Sequence, residues 1–294
     1  MPAVWNDDPK GLRMSDLSQP RAFLKYLNPD GGLPYSPGMQ SFSEPTLLMI
    51  IALLASEAIE AAQPLLEWTL KTRNKDGSIG LSKQYPDQGI WNSALLAIAL
   101  HHAGLNRERD EAIDFLIGIK SIQFSRIQDI DLDPRLVGWP WVVHTFGWVE
   151  PTSWALLAMD LSGKHDHPRA VEGRRFLEDR CLPEGGWNYG NKIVFNNTLM
   201  AFWDTTALAL LALGDSSPSL ANKNLNLLEK YSSEMHSLLT NSLVCVCLAR
   251  FGRKTDLFQT RIAEILGGLS QEELNFAHLA MGMIALSDKR VLTP

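Results

Sequence analysis

Two stretches of the chain share one opening: Glu44-Pro45-Thr46 and Glu150-Pro151-Thr152 each stand directly before a long apolar, alanine-rich run. Asp204, followed by Thr205-Thr206, takes the corresponding place before a third such run. Carboxylates that converge in a partly apolar pocket have raised pKa values and can act as proton donors. Glu44, Glu150 and Asp204 are therefore candidate catalytic acids. The same residues also read as helix starts: an acidic N-cap, then proline at the first helical position, where a missing N–H costs nothing and the dipole favours negative charge. Glutamate is a mediocre N-cap beside Ser, Thr, Asp or Asn, however, and here two helices carry it. His144, in the loop before Glu150, is a fourth candidate, since an imidazole moves protons near neutral pH; a hydrogen-bonded structural histidine is the alternative.

Seven of the nine tryptophans lie between Trp91 and Trp203. Trp139, Trp141 and Trp148 sit in the loop that feeds Glu150, and Trp154 lies one turn into the following helix. Trp91, Trp187 and Trp203 belong to neighbouring segments. Such aromatic density stabilises cations through ring faces, stacks on sugar rings, or fills a packed junction. All seven are candidate substrate-lining residues. A metal is not expected. Cys245 and Cys247 stand two apart on a helix and so on different faces, and His236 and His278 lack the further ligands that zinc requires. The Asp-rich stretch 129–134 reads as a solvated loop. No cofactor is implied.

The elements that must position these residues follow from the hydropathy pattern. Six apolar runs, near 41–56, 91–104, 148–163, 204–215, 236–252 and 274–288, have apolar residues nearly all round, as in helices buried on most sides. Six amphipathic helices, near 16–28, 62–74, 107–121, 168–181, 218–231 and 255–268, alternate with them. This is a repeat of outer and inner helices. Six hairpins closed into a ring make an all-α fold, an α/α toroid or (α/α)6 barrel, expected as a single domain over residues 1–294. Inner helices then run parallel, and their N-termini meet at one mouth beside the long loops 122–149 and 182–203.

Bulk properties narrow the function. The chain has 294 residues, 45% hydrophobic and 20% charged, with a net charge of −6. That composition supports a sizeable core and argues against general nucleic-acid binding, which needs a basic surface. No run of eighteen apolar residues suggests a membrane span. The opening MPAVWNDDPKGLR lacks a secretory pattern, and three cysteines form no disulfide framework. A cytoplasmic location is the expectation.

Three outer-to-inner turns carry a family resemblance. FLEDRCLPEGGWNYG (176–190) resembles the repeat of squalene and hopene cyclases: Phe-Leu, three residues, Gln, three residues, Gly-x-Trp, with Cys181 in place of the glutamine. WTLKTRNKDGSIG (68–80) and FLKYLNPDGGLPYSPG (23–38) fit more loosely. The chain thus looks like the prenyltransferase and squalene-cyclase repeat family of α/α toroids, over about residues 15–215. That resemblance implies an apolar isoprenoid-type ligand in the central cavity, acid-catalysed cyclisation or transfer, and a second toroid chain or homo-oligomer as a possible partner. Asp204 falls on the proton-donating aspartate of Asp-x-Asp-Asp-Thr-Ala, with Phe202 and Thr205 replacing its two companions. The zinc-binding Asp-Gly-Cys of protein prenyltransferases reads Asp204-Thr205-Thr206. Two other functions fit the same fold: a non-catalytic binding scaffold, and a carbohydrate-active (α/α)6 enzyme with two carboxylates flanking an aromatic-lined cleft.

Overall fold

A computed structural model of the protein describes residues 24–125, 131–194 and 197–294. Six inner helices form the ring: α1 (Ser43–Ala55), α3 (Ile90–His102), α5 (Val149–Leu161), α7 (Trp203–Leu213), α9 (Leu238–Arg250) and α11 (Phe276–Leu286). Each packs on the next, and α11 closes against α1. Five outer helices, α2 (Ile59–Thr72), α4 (Asn106–Gly118), α6 (Pro168–Arg180), α8 (Pro218–Lys230) and α10 (Asp256–Gly268), lie against α1, α3, α5, α7 and α9 respectively. This is the α/α toroid read from the alternation. Most of the outer helix expected near 16–28 falls outside the described residues, and residues 24–26 form one 3-10 turn. The Asp-rich stretch falls partly outside them too; within it Asp133 pairs with Arg135.

The two helix classes differ as their sequences require. In α5 every residue from Val149 to Met159 is buried except Glu150, and in α1 every residue from Ser43 to Leu53 except Glu44. The outer helices bury one face only; α4 buries just Ala112, Ile113 and Leu116. Alanine in the inner helices (Ala94, Ala97, Ala99, Ala155, Ala158, Ala207, Ala209, Ala212) lets six of them approach around one axis.

Four outer-to-inner connections are pinned by one repeated arrangement. The backbone N–H of Leu33, Ile79, Trp139 and Trp187 donates to the hydroxyl of Thr46, Ser93, Thr152 and Thr206, at 2.9, 3.1, 2.8 and 2.9 Å. Each hydroxyl belongs to the fourth residue of the inner helix that the connection leads into. Two residues further on, the connection reaches sideways. The carbonyls of Tyr35, Leu81, Trp141 and Tyr189 accept the first N–H of the neighbouring inner helix: Phe276 of α11, Ser43 of α1, Ile90 of α3 and Val149 of α5. The orphan donors at four helix starts are thereby met by backbone of the adjacent hairpin. α9 and α11 also carry side-chain caps, Ser237 and Asn275.

The glycine before Trp187 is required by space as well as by backbone angle. Gly186 has φ +79°, and a Cβ there would stand 2.6 Å from the Ala201 side chain and 3.1 Å from the Thr206 hydroxyl. The tryptophans at two pinned positions then turn back onto their own hairpins. The Trp139 indole N–H donates to Leu116 O at the end of α4, and that of Trp187 to Leu177 O in α6. Two short antiparallel ladders, Trp139–Pro140 with Gly147–Trp148 and Ile193–Val194 with Asn197–Thr198, stiffen the long connections.

Loss of one clamp leaves a buried N–H without an acceptor, which costs about 1–3 kcal/mol. Thr152→Val is expected to lower the unfolding free energy by about that amount, while Thr152→Ser, which keeps the hydroxyl, loses less. Urea denaturation of the two variants checks this, and equal stabilities would show that the clamp contributes nothing.

Candidate active site

The ring places side chains by register. Residues four apart on a helix share a face, so the second and sixth residues of each inner helix point the same way. The second residues are Glu44, Trp91, Glu150, Asp204, Leu239 and Ala277; the sixth are Leu48, Leu95, Trp154, Leu208, Leu243 and Met281. All but Trp91 and Leu95 line one cavity of about 80 Å³ at the N-terminal mouth of the ring, joined by Tyr35, Thr205 and His278. One layer thus carries three carboxyls, and the layer beneath is an apolar floor.

The acids are not helix caps. The N-cap residues of α1, α5 and α7 are Phe42, Trp148 and Phe202, and none makes a side-chain capping bond. Glu44 and Glu150 lie inside the first turn, two residues past the cap, with Pro45 and Pro151 third rather than first. Proline remains harmless there, because the early N–H groups of a helix have no internal partner. Glu44 accepts the Tyr35 hydroxyl at 2.5 Å and the Trp91 indole N–H at 3.4 Å. Asp204 accepts the N–H of Thr205 at 2.8 Å.

Burial governs the protonation of this group. It pushes the Glu150 carboxyl up to about 8, and the negative charges of Glu44 and Asp204 add to the effect. Burial likewise raises Glu44, against the hydrogen bonds from Tyr35 and Trp91. The Tyr35 hydroxyl is raised by burial and by adjacent Glu44. His278 is lowered by burial, which outweighs the opposing pull of Asp204, so its imidazole is neutral at pH 7. The cavity lining contains no lysine or arginine. A proton donor, two further carboxyls and a neutral imidazole therefore meet over a hydrophobic floor.

Of the residues singled out in the sequence, Glu44, Glu150, Asp204 and Trp154 come together in the cavity. Trp91 touches Glu44, and Trp141 stands edge-on to Trp91 with ring centroids 4.7 Å apart. The others lie elsewhere. His144 is exposed at the tip of its loop with φ +63°, outside the cavity lining. Trp139 and Trp187 are fully buried in their connections, and the Arg169 guanidinium covers the Trp139 ring at 3.6 Å. Trp148 pairs with Trp139 in a ladder, and Trp203 stacks on Tyr231. Tyr35 escaped the sequence reading, and His278 entered it only as a zinc ligand. Their signal is positional: Tyr35 is two residues past a pinned turn, and His278 is the third residue of α11. Burial raises the thiols of Cys245 and Cys247, and among the described residues no group of three His, Cys, Asp or Glu is placed to hold a metal ion.

No protein-family model matches the sequence, and no curated protein matches it. Solved structures match the fold along its whole length. An α-amylase from Clostridium perfringens aligns over 96% of this chain and all of its own, with TM-score 0.67 and 14% identity. An endo-β-1,4-glucanase from Acetobacter xylinum covers 94% and 97% of the two chains (TM-score 0.58, 13% identity). An α-1,6-mannanase of Salegentibacter sp., solved with α-1,6-mannotriose, covers 95% and 98% (TM-score 0.61, 11% identity). These likenesses establish the (α/α)6 toroid.

They also overturn the expected membership of the squalene-cyclase and prenyltransferase repeat family, and with it the isoprenoid ligand. The neighbours named above are glycosidases, not terpenoid cyclases. The physical reason is on the page: the Gly-x-Trp spacing at Gly185–Trp187 serves a helical-hairpin junction, with its indole bonded to the preceding outer helix. Any ring of such hairpins can use that device. A cavity of about 80 Å³ is also far smaller than the roughly 300–1,000 Å³ that encloses a drug-sized ligand. Among the described residues, no helix is long and apolar enough to cross a membrane.

The raised Glu150 has a thermodynamic consequence. A carboxyl whose folded pKa lies above its unfolded value stabilises the fold below the unfolded pKa and loses that contribution as pH rises through the folded one. From the reference 4.5 to about 8, wild type is therefore expected to lose stability relative to Glu150→Gln. Urea midpoints at pH 5 and pH 9 for both proteins test this; parallel pH dependences would show that Glu150 titrates normally.

Proposed function

We propose that this protein is a glycoside hydrolase whose reaction takes place at the N-terminal mouth of the ring. The observation that carries the reading is the convergence of three carboxyls from equivalent ring positions in one cavity, with Glu150 pushed up to about 8 and thus protonated at neutral pH. Glycoside hydrolysis needs a carboxylic acid that protonates the departing oxygen and a carboxylate that faces the anomeric carbon. The structural neighbours, which include an α-amylase, a β-1,4-glucanase, an exo-oligoxylanase and an α-1,6-mannanase, favour this chemistry. Their sugars and linkages differ, so the reading stays at the level of the glycosidic bond.

In this mechanism Glu150 gives its proton to the glycosidic oxygen as the bond to the anomeric carbon breaks. Asp204 is the anionic partner. It stabilises the developing positive charge and either takes a proton from the attacking water or bonds to the anomeric carbon before water releases the product. The anomeric configuration of the first product, read by proton NMR, separates these routes. Glu44, held by Tyr35 and Trp91, is a positioning residue whose charge helps keep Glu150 protonated. With three acids and no basic side chain in the lining, the cavity suits neutral sugars and repels uronic acids.

Wild type is expected to release reducing sugar from at least one of maltohexaose, cellohexaose, xylohexaose and α-1,6-mannotriose, and none from polygalacturonate. Glu150→Gln and Asp204→Asn should each lower kcat by about 100-fold or more, the usual contribution of a positioned acid or base. For wild type, kcat/KM should fall above about pH 8 as Glu150 loses its proton. Undiminished turnover in Glu150→Gln would refute the assignment of the acid. Failure on every neutral glycan would refute the hydrolase reading.

A further inference from the structure

We propose that Tyr189 and Phe202 form an aromatic platform at the rim, on which one sugar ring stacks while the neighbouring glycosidic bond lies against the acids at the mouth. This assignment rests on the glycosidase reading. Both rings are open to solvent, Tyr189 at 54% and Phe202 at 40% exposure, and they lie together with centroids 4.9 Å apart at 43°. Two adjacent aromatic rings left in water forgo the burial that Trp139 and Trp187 achieve in the two long connections.

Their anchorage ties them to the acids. Tyr189 receives the first N–H of α5 on its carbonyl, one residue before Glu150. Phe202 is the N-cap residue of α7, two before Asp204. Its own N–H donates to Trp187 O at 2.8 Å, within the bridge that joins these two segments. The platform is thus fixed between the helices that carry the proton donor and its partner carboxylate. Little ordering is needed when a ligand lands on it.

Ring equivalence supports the same conclusion. Tyr35, Trp141 and Tyr189 each stand two residues past a pinned position, and each passes its carbonyl to a neighbouring helix. Tyr35 is committed to Glu44, and Trp141 to Trp91. Tyr189 occupies the same level of the ring but turns its face outward. The C–H face of a pyranose is the apolar surface that matches such a ring, and anchorage at the starts of the two helices that carry Glu150 and Asp204 favours a sugar over a protein partner.

The test compares wild type, Tyr189→Ala and Tyr189→Phe on the neutral oligosaccharides named above, by steady-state kinetics and by tryptophan-fluorescence titration. Stacking of one ring is worth about tenfold in affinity. Tyr189→Ala is therefore expected to raise KM about tenfold with kcat changed less than twofold, and Tyr189→Phe to restore KM. Saturable binding that weakens in Tyr189→Ala, with no hydrolysis by wild type, would uphold the platform and sink the hydrolase reading. Hydrolysis with KM unmoved in Tyr189→Ala would overturn the platform alone, and absence of both binding and turnover would overturn both. A dimer in sedimentation that dissociates in Tyr189→Ala, with KM unmoved, would assign the surface to a second copy of the chain and overturn the platform.

Discussion

A hydroxyl on the fourth residue of an inner helix holds the backbone N–H of the turn that precedes that helix, and two residues later the same turn lends its carbonyl to the helix next door. This pair of hydrogen bonds, written at Leu33, Ile79, Trp139 and Trp187, fastens each connection to two inner helices at once. It also closes the ring, because the first of the four turns caps α11, the last helix in the chain. Six helices buried on nearly all sides have little else to set their relative height, since apolar packing of alanine and leucine is non-directional. The stitch supplies direction. It brings the helix starts of the first four hairpins and of α11 to one level, and the site is built at that level.

Once the helix starts are level, the second residue of each inner helix has only the axis to face. Placing Glu44, Glu150 and Asp204 there sets local preference against global stability. Carboxyls enter a space floored by Leu48, Trp154, Leu208 and Met281, with no basic side chain in the lining. Water is displaced and like charges are brought together, and both effects hold Glu150 in its neutral form. A fold made only for stability would carry apolar residues at these positions, as α9 and α11 do with Leu239 and Ala277. The departure falls on three helices of the six, α1, α5 and α7. Local rules broken in this way are what functional or strained sites look like.

Much of this was legible in the sequence, and the limits follow from what each pattern encodes. Buried and half-buried helices differ in periodicity, so the alternation gave the toroid. The repeated Glu-Pro-Thr gave two of the three acids together with two of the four clamping hydroxyls, although threonine's task was not visible without its partner across the turn. Reading glutamate as a cap erred by two residues, because Phe42 and Trp148 adopt the extended cap conformation with no side-chain bond to betray them. The resemblance to cyclase repeats misled for a related reason. Gly185-Gly186-Trp187 records how a hairpin turns, and that geometry is common to rings with different chemistry. In the α8–α9 and α10–α11 connections the glycine turn gives way to other pairings, such as the Asn241 amide on Met235 O, and only the alternation could be followed there.

The tryptophans show why register matters more than count. Their number suggested a lined cavity, yet Trp139 and Trp187 spend their indoles on outer-helix carbonyls, and Trp203 lies on Tyr231. Trp154, at the sixth position of α5, faces the axis, and Trp91, at the second position of α3, reaches Glu44. At the start of α7 the exposed aromatic surface belongs to Tyr189 and Phe202. An enclosed hydrocarbon would need apolar rings on the inside and a large void between them. This ring instead fills its axis, keeps a small acidic hollow at one end, and leaves its accessible aromatic faces on the rim. That division suits a polar chain that lies across the mouth and offers one bond to the acids. The proposed sugar chemistry is the one that fits where the ring has room.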